Sequence, residues 1–355
     1  TKGGDGGGGG GGGDGGGGAA VAYAGTKDWA TEAGGYVDDM SDEQRRILAE
    51  FSATVTDEAL AEVKWAQETR DSCLLRFLRA RQFDAAAAGA MFAAARAWRA
   101  DRDVPATVAA SAEEVLGCLE DEFYAFYQQR YLPTLARGGE PVYVERTGRI
   151  SIEGLLSVTD KARMLRNHFR AVESTQVALS VRGTRARGAG AAPVETVVTI
   201  MDMEGLGTHL INKTAINYVQ ECTRMDQDNY PEMAGAVVII NAPRIFSAAW
   251  GMVKGFLDER TREKIQIMSS PDDWQPRLRE LIPPDALPLE LGGTLALPGG
   301  LWPPSPFATT AVPRGGMARV RLPRTATQLR WWPAAGTLVA SVVYVAEGEE
   351  GGEEG

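Results

Sequence analysis

Side chains that could carry out catalysis are few in this sequence and poorly grouped. Its two histidines are His168, inside a helical pattern beside Asn167 and Phe169, and His209, which has no cysteine or second histidine near enough to share a metal. The three cysteines, Cys73, Cys118 and Cys222, have neither metal nor redox spacing, and so sparse and odd a set fits a reducing compartment. Gly205-Leu-Gly207-Thr-His-Leu210 follows a strand pattern as a dinucleotide loop would, but Leu210 stands where the third glycine belongs. Asp226-Gln-Asp228-Asn is too short for a calcium loop, and neither Gly-x-Ser-x-Gly nor Gly-Lys-Ser/Thr occurs. The expectation is therefore a protein that is not an enzyme and needs no cofactor. What the chain does concentrate is the chemistry of holding an amphiphile. Asp258-Glu-Arg-Thr-Arg-Glu-Lys264 is dense in charge and comes directly after Phe246, Ala249, Trp250, Val253, Phe256 and Leu257, which recur at helical spacing. A greasy helix with polar groups at one rim is how a site for an amphiphile is built; the same spacing also describes an ordinary crossover helix packed on a core.

The neighbouring elements would position that pair. Ala236 to Ile240 is a short, β-branched apolar run of the length of a fully buried strand. Asn241-Ala242-Pro243 ends it, because Pro243 has no N–H for a ladder. A helix over 244–257 and a strand over Ile265–Met268 follow. Upstream, Val142–Glu145 and Val197–Met201 are similar runs, separated by helical segments over 161–181 and 212–226. Strands alternating with helices imply a mostly parallel sheet. Before residue 136 the pattern is helical: a capping box at Ser41–Gln44, further helices around 57–68, 71–81 and 84–100, and a second capping box at Ser111–Glu114 opening a helix towards Tyr131 that Pro133 closes. Arg76, Arg79 and Arg81 read as exposed positions on one of these helices. The fold class is thus α/β, with a helical N-terminal subdomain (41–135) and a sheet covered by helices (136–297), interrupted by a loop at 183–193.

The ends differ from this core. Residues 1–18 contain fourteen glycines and, with 19–40, read as a flexible arm and linker. Residues 298–316 form a Pro/Gly linker, 317–346 hold three β-runs (Met317–Leu322, Gln328–Trp332, Thr337–Ala346), and 347–355 are an acidic tail. The net charge of −10 is concentrated at the ends: setting aside residues 1–18 and 346–355 leaves about −4. No basic domain exists to neutralise phosphates, so nucleic acid is not an expected partner. No run of about 18 apolar residues is present, so membrane contact would be peripheral and reversible.

Several motifs, taken in order, resemble the CRAL-TRIO lipid-binding family, in particular its phosphatidylinositol/phosphatidylcholine transfer branch. They are Asn229-Tyr-Pro-Glu232, Ile239-Ile-Asn-Ala-Pro243, Lys254-Gly-Phe-Leu-Asp258 and Thr261-x-x-Lys-Ile265, preceded by Leu74 to Asp84, Gly139 to Tyr143 and Thr199 to Gly205, and followed by Leu287-Pro-x-Glu-x-Gly-Gly293. The resemblance covers about residues 70 to 295, and the β-runs beyond it resemble the start of a GOLD-type sandwich, although three strands are too few for one to stand alone.

The resemblance implies a pocket for acyl chains closed by a movable helix from about Ser247 to Leu257, lined by Tyr143, Thr199, Met201, Ile239, Phe246, Trp250, Val253 and Phe256. It assigns the lipid head group to Arg81, Glu232, Thr261 and Lys264: two cations for a phosphodiester, a carboxylate for inositol hydroxyls and a hydroxyl that both donates and accepts. The sequence departs from the family at Gln82, where a lysine is expected, so one phosphate-directed charge is missing. Val197 replaces a pocket serine, and an aromatic expected near Leu135 is absent, so phosphatidylcholine is served less well than phosphatidylinositol. A lipid-sensing adaptor, or a carrier of a sterol, tocopherol-like or retinoid molecule, are the other functions this resemblance leaves open. The implied partners are a phospholipid, a transient membrane surface and a lipid kinase or trafficking protein. The implied state is a monomer, and the implied place is the cytoplasm, at the surface of internal membranes.

Overall fold

The computed structural model describes residues 34–302; most of the glycine-rich arm, the remainder of the Pro/Gly linker, the three β-runs and the acidic tail lie outside the described residues. Helix α1 (Asp42–Thr54) begins at the capping box expected from the sequence: Gln44 N donates to Ser41 Oγ at 3.2 Å and Ser41 N to Gln44 Oε1 at 2.9 Å. Helices α2 (Asp57–Ala61), α3 (Arg70–Ala80) and α4 (Ala85–Asp101) follow. Leu48 and Phe51 of α1, Leu74, Leu75, Phe77 and Leu78 of α3, and Met91 and Phe92 of α4 form one core. Phe92 meets both Phe51 and Phe77 edge-on, at ring distances of 6.3 and 5.2 Å.

Helix α3 is enclosed on every side, and this overturns the expectation of exposed arginines. Arg76 and Arg79 have side-chain exposures of 1% and 0%. Arg76 pairs with the equally buried Glu68, donates to the Pro231 carbonyl at 3.3 Å and lies 4.0 Å over the Trp65 ring. Arg79 pairs with Glu195, donates to the Gly35 carbonyl at 3.2 Å and lies 4.1 Å over Tyr36. A guanidinium is tolerated in such a place only when its charge is matched and its donors are used. Pro231, Glu195 and Gly35 come from segments far away in the sequence, which is why helical spacing could not show the burial.

The segment 111–135 also differs from expectation. The Ser111–Glu114 capping box forms, but Gly117 takes a left-handed conformation (φ +70°) and ends α6 (Ala112–Leu116), which follows α5 (Val104–Ala109). A separate α7 (Glu120–Phe126) leads into strand β1 (Gln129–Leu135). Pro133 is tolerated in β1 because the strand lies at the sheet edge and its pairing is irregular between Tyr131 and Leu135.

The sheet runs β1-β2-β3-β4-β5, with β2 (Pro141–Glu145), β3 (Val197–Asp202), β4 (Ala234–Ile240) and β5 (Ile265–Ile267). Strands β1 and β2 are antiparallel and the other pairs are parallel, so the sheet is mostly parallel, as expected. Between β2 and β3 come α8 (Ile152–Val158), α9 (Lys161–Ala171), a π-helical turn (Val172–Gln176) and α10 (Val177–Arg187); α11 (Lys213–Asn229) precedes β4. Helix α12 (Phe246–Val253) and the short α13 (Glu259–Glu263) lie between β4 and β5, and α14 (Pro271–Leu281) follows β5. Alternation along the strands sends Val142, Val144, Val198, Ile200, Val238 and Ile240 to one face, where they pack on Trp274, Leu278 and Ile282. Each such side chain contributes about 1.5–3 kcal/mol on burial.

Removing one member of the buried Arg76–Glu68 pair leaves a bare charge inside the protein. Arg76→Met is expected to lower stability by about 3–5 kcal/mol, and Arg76→Met/Glu68→Met by less than the single change. Urea unfolding of both variants measures this; a double variant as unstable as the single one would show that the charge pair itself is not what matters.

Candidate functional site

The opposite face of the sheet is not packed in the same way. In register across it run Tyr131, Tyr143, Thr199, Val237 and Ile265, and beside them Gln129, Glu145, Met201, Ile239 and Ile267. Residues at the centre of a helix-covered parallel sheet are normally lost to solvent. Here Tyr143, Thr199, Met201, Val237, Ile265 and Ile267 remain half-buried, so this face looks onto space. Phe246 and Trp250 of α12 roof one end, packing with Met201, Val237, Ile239, Ile265 and Ile267. Their rings lie 6.3 Å apart and nearly parallel. The helix expected over 244–257 is shorter: α12 stops at Val253 and a 3-10 turn, Lys254–Phe256, follows. Val253 and Phe256 are half-buried but outside the Phe246–Trp250 cluster. The far side of α12 is open, with Ser247, Ala248, Gly251 and Met252 exposed. Gln227 of α11 clasps its end, donating to the Phe256 carbonyl at 2.8 Å and accepting from Asp258 N at 2.7 Å.

The other end of the face is walled by hydroxyls and two carboxylates, which the sequence did not reveal. Glu145 accepts from Tyr127 (2.6 Å) and Thr147 (2.6 Å), and the Tyr143 hydroxyl lies 3.0 Å from it and within reach of Gln129. Tyr131 packs on Tyr143 at a ring distance of 5.1 Å, with the rings tilted by 54°, and donates to Gln176 at 2.9 Å; the π turn presents Gln176 there. Burial pushes the Tyr127, Tyr143 and Tyr218 hydroxyls up, with Glu145 and neighbouring acidic groups acting in the same direction, so they remain neutral donors. Burial likewise raises the Cys222 thiol and keeps it unreactive. His168 of α9 meets Asp226 of α11 at 2.8 Å, a satisfied histidine as the sequence reading expects. Its side chain is 31% accessible.

Of the four residues expected at a head group, Glu232 and Lys264 sit just before β4 and β5, Thr261 lies in α13 and Arg81 ends α3. Glu232 and Lys264 are brought together, Nζ to Oε2 3.3 Å, and Lys264 also donates to the Ala234 carbonyl at 2.9 Å. Glu232 has a left-handed backbone (φ 61°) and a side chain only 6% exposed. Thr261 is one turn before Lys264, with its hydroxyl donated to Asp258 Oδ2 at 2.7 Å and its N–H to Oδ1 at 2.8 Å; in this state it completes the cap of α13. Arg81 ends α3 and donates to its neighbour's carbonyl, Ala80 O, at 2.9 Å; among the described residues it makes no ion pair. The sequence reading missed Arg260, whose Nε lies 3.0 Å from Glu232 Oε1. Its spacing of four from Lys264 was the available signal. Tyr36, on the α3 side, is within electrostatic reach of both Glu232 and Arg260. A separate groove of about 390 Å³ between α1 and α4, lined by Phe51, Val55, Phe92 and Arg96, shares no residue with this site.

Burial alone would lower the His168 pKa, but the charge and hydrogen bond of Asp226 outweigh it, and the net value stands above the ordinary 6.5. The sign follows: the pair's stabilisation is complete below about 6.5 and is lost as pH rises through the raised folded value. Asp226→Asn should therefore destabilise most on the acid side, with the deficit shrinking as pH rises. Urea midpoints across the pH range read this directly, and a deficit independent of pH would mean that the pair acts by packing alone.

No helix among the described residues is long and apolar enough to cross a membrane. The CRAL/TRIO domain family matches residues 128–293, and the CRAL/TRIO N-terminal domain matches 47–94. The chain is 35% identical over 241 residues to the Sec14 cytosolic factor of Schizosaccharomyces pombe, covering 68% of this chain and 80% of that protein. It is 34% identical over 250 residues to the SEC14 cytosolic factor of Eremothecium gossypii, covering 70% and 77%. Against the Arabidopsis thaliana phosphatidylinositol/phosphatidylcholine transfer protein SFH4 it is 34% identical over 225 residues, 62% of this chain and 35% of that longer protein. With both of the family's domains matched in order, and with the helical region and mostly parallel sheet that they cover, the chain belongs to the CRAL/TRIO family.

Proposed function

We propose that this protein binds a phospholipid, phosphatidylinositol foremost, and carries or presents it between membranes. The observation that supports this most is the half-buried apolar centre of the sheet, roofed by α12 and ending at the Glu232–Lys264 rim. Acyl chains laid along Met201, Val237, Ile239, Ile265 and Ile267 gain about 0.8 kcal/mol for each methylene removed from water. At the rim, Lys264 meets the phosphate and Glu232 accepts from ring hydroxyls, with Thr261 released from its cap and Arg81 closing from the α3 side. Helix α12 acts as the gate: closed, Phe246 and Trp250 cover the chains; open, its exposed side meets the bilayer. The contact is peripheral and brief. The name of one relative, a phosphatidylinositol/phosphatidylcholine transfer protein, agrees with binding and transfer.

Organic extraction and mass spectrometry of the purified protein test the cargo. Phosphatidylinositol present in the wild type and absent from Arg81→Ala/Lys264→Ala is the expected result. A sterol or other neutral lipid retained by both would keep the pocket and remove the inositol assignment.

The gate has its own test. Met252 is 41% exposed on α12 and contributes little to the core. Met252→Asp should slow vesicle-to-vesicle transfer about tenfold, the loss of one apolar anchor at the interface, while the lipid already bound is retained. Unchanged transfer would remove α12 from the membrane contact.

A further inference from the structure

Two cations face one carboxylate at the rim. Arg260 reaches Glu232 with Nε (3.0 Å to Oε1) and Nη2 (3.4 Å to Oε2), and Lys264 reaches the same Oε2 at 3.3 Å. The side chains of Glu232 and Lys264 are 6% and 13% exposed, whereas that of Arg260 is 43% exposed. The carboxylate thus occupies one edge of the guanidinium, and its remaining donors face solvent. Among the described residues, Arg260 pairs with Glu232 alone, and the nearby Asp258 is taken up by Thr261. At the Glu232 carboxylate itself, two cations thus meet one anion, while Asp258 is turned to the cap of α13. The rim also borders the pocket floor directly: Val237 N donates to the Lys264 carbonyl at 3.0 Å, and Ile265, the next residue, lies in the floor.

We infer that Arg260 is a head-group-binding residue, which together with Lys264 holds a lipid phosphate while Glu232 accepts from adjacent hydroxyls. It supplies the phosphate-directed charge that Gln82 leaves missing, from α13 instead of from the end of α3. A planar fork suits this task, because it can keep one edge on Glu232 and turn the other to a phosphate oxygen. The ligand class is a phosphate flanked by hydroxyls, and the inference rests on the function proposed above.

The test is binding of the full chain to phosphatidylcholine vesicles with and without phosphatidylinositol, comparing wild type, Arg260→Ala, Arg260→Gln and Arg262→Ala. Arg262 is an exposed cation two residues further along the same helix, without an ion pair among the described residues. Removing a charge-assisted contact at Arg260 should weaken phosphatidylinositol binding about tenfold. Arg262→Ala should change it less than about twofold, as for an isolated surface charge. Arg260→Gln, similar in length and uncharged, must show the same deficit as Arg260→Ala, which guards against a loss due to misfolding. Equal losses for Arg260→Ala and Arg262→Ala, or no loss at Arg260, overturn the inference. A wild type that ignores phosphatidylinositol yet yields another bound lipid on extraction overturns the function proposed above, and is thereby told apart. Glycerophosphoinositol, the head group without acyl chains, should compete weakly; competition as strong as that of the lipid would overturn a lipid source for the phosphate.

Discussion

The structure depends on two guanidinium groups placed where water cannot reach. Arg76 and Arg79 project from α3 and are held by other segments: Glu68, Pro231 and Trp65 for one, and Glu195, Gly35 and Tyr36 for the other, with only the Nε of Arg79 left without a hydrogen bond. Desolvating a charge costs several kcal/mol, so each arginine fixes its partners as much as they stabilise it. Two of these partners, Glu195 and Pro231, lie in the segments that lead into β3 and β4. The hydrogen bond from Arg76 to the Pro231 carbonyl holds the residue just before Glu232. The position of the rim carboxylate therefore depends on a helix of the N-terminal region, and the two matched domains of the family work as one unit.

The sheet shows how one period-two pattern serves two purposes. Both faces carry β-branched residues, and what lies over each decides its role. Helix α14 covers one face with Trp274 and Leu278, and the apolar residues of β2, β3 and β4 there disappear into the core. Over the other face, α12 covers one end, and the tyrosines with Glu145, His168 and Asp226 wall the rest. Those hydroxyls are donors in surroundings of low polarity, where a neutral donor keeps its proton and its hydrogen bond is stronger than in water.

Strands β2 to β5, the turn at Asn241–Pro243 and the greasy helix after it were legible in the sequence, because apolar periodicity and proline placement are local signals. That Thr199, Met201 and Ile239 share one face of the sheet was legible for the same reason, since they have one parity along their strands, as the register shows. What sequence did not show was set over long range. Strand β1 reads as the tail of a helix because a proline in an edge strand has no local signature. Arg76 and Arg79 look exposed until Glu68 and Glu195 close over them. Arg260 was hidden in a run of charges, where only the fold shows that it turns towards Glu232. The tyrosine wall gathers β1, β2, α7, α9 and α11, five elements that no spacing rule connects.

Glu232 is fixed in a left-handed backbone conformation that residues with a side chain seldom adopt, so its carboxylate is held rigidly in direction. Its two cations sit on long, flexible stems. Such a rim adapts by rotation of Arg260 and Lys264 without any change of main chain, an event of picoseconds to nanoseconds. Displacing α12, with its aromatic contacts and the Gln227 clasp, belongs to the slower microsecond-to-millisecond class. Under the function proposed above, this division separates two clocks: the rim's side chains rearrange many times during a single opening of the roof, so a head group would be sorted by affinity before α12 closes.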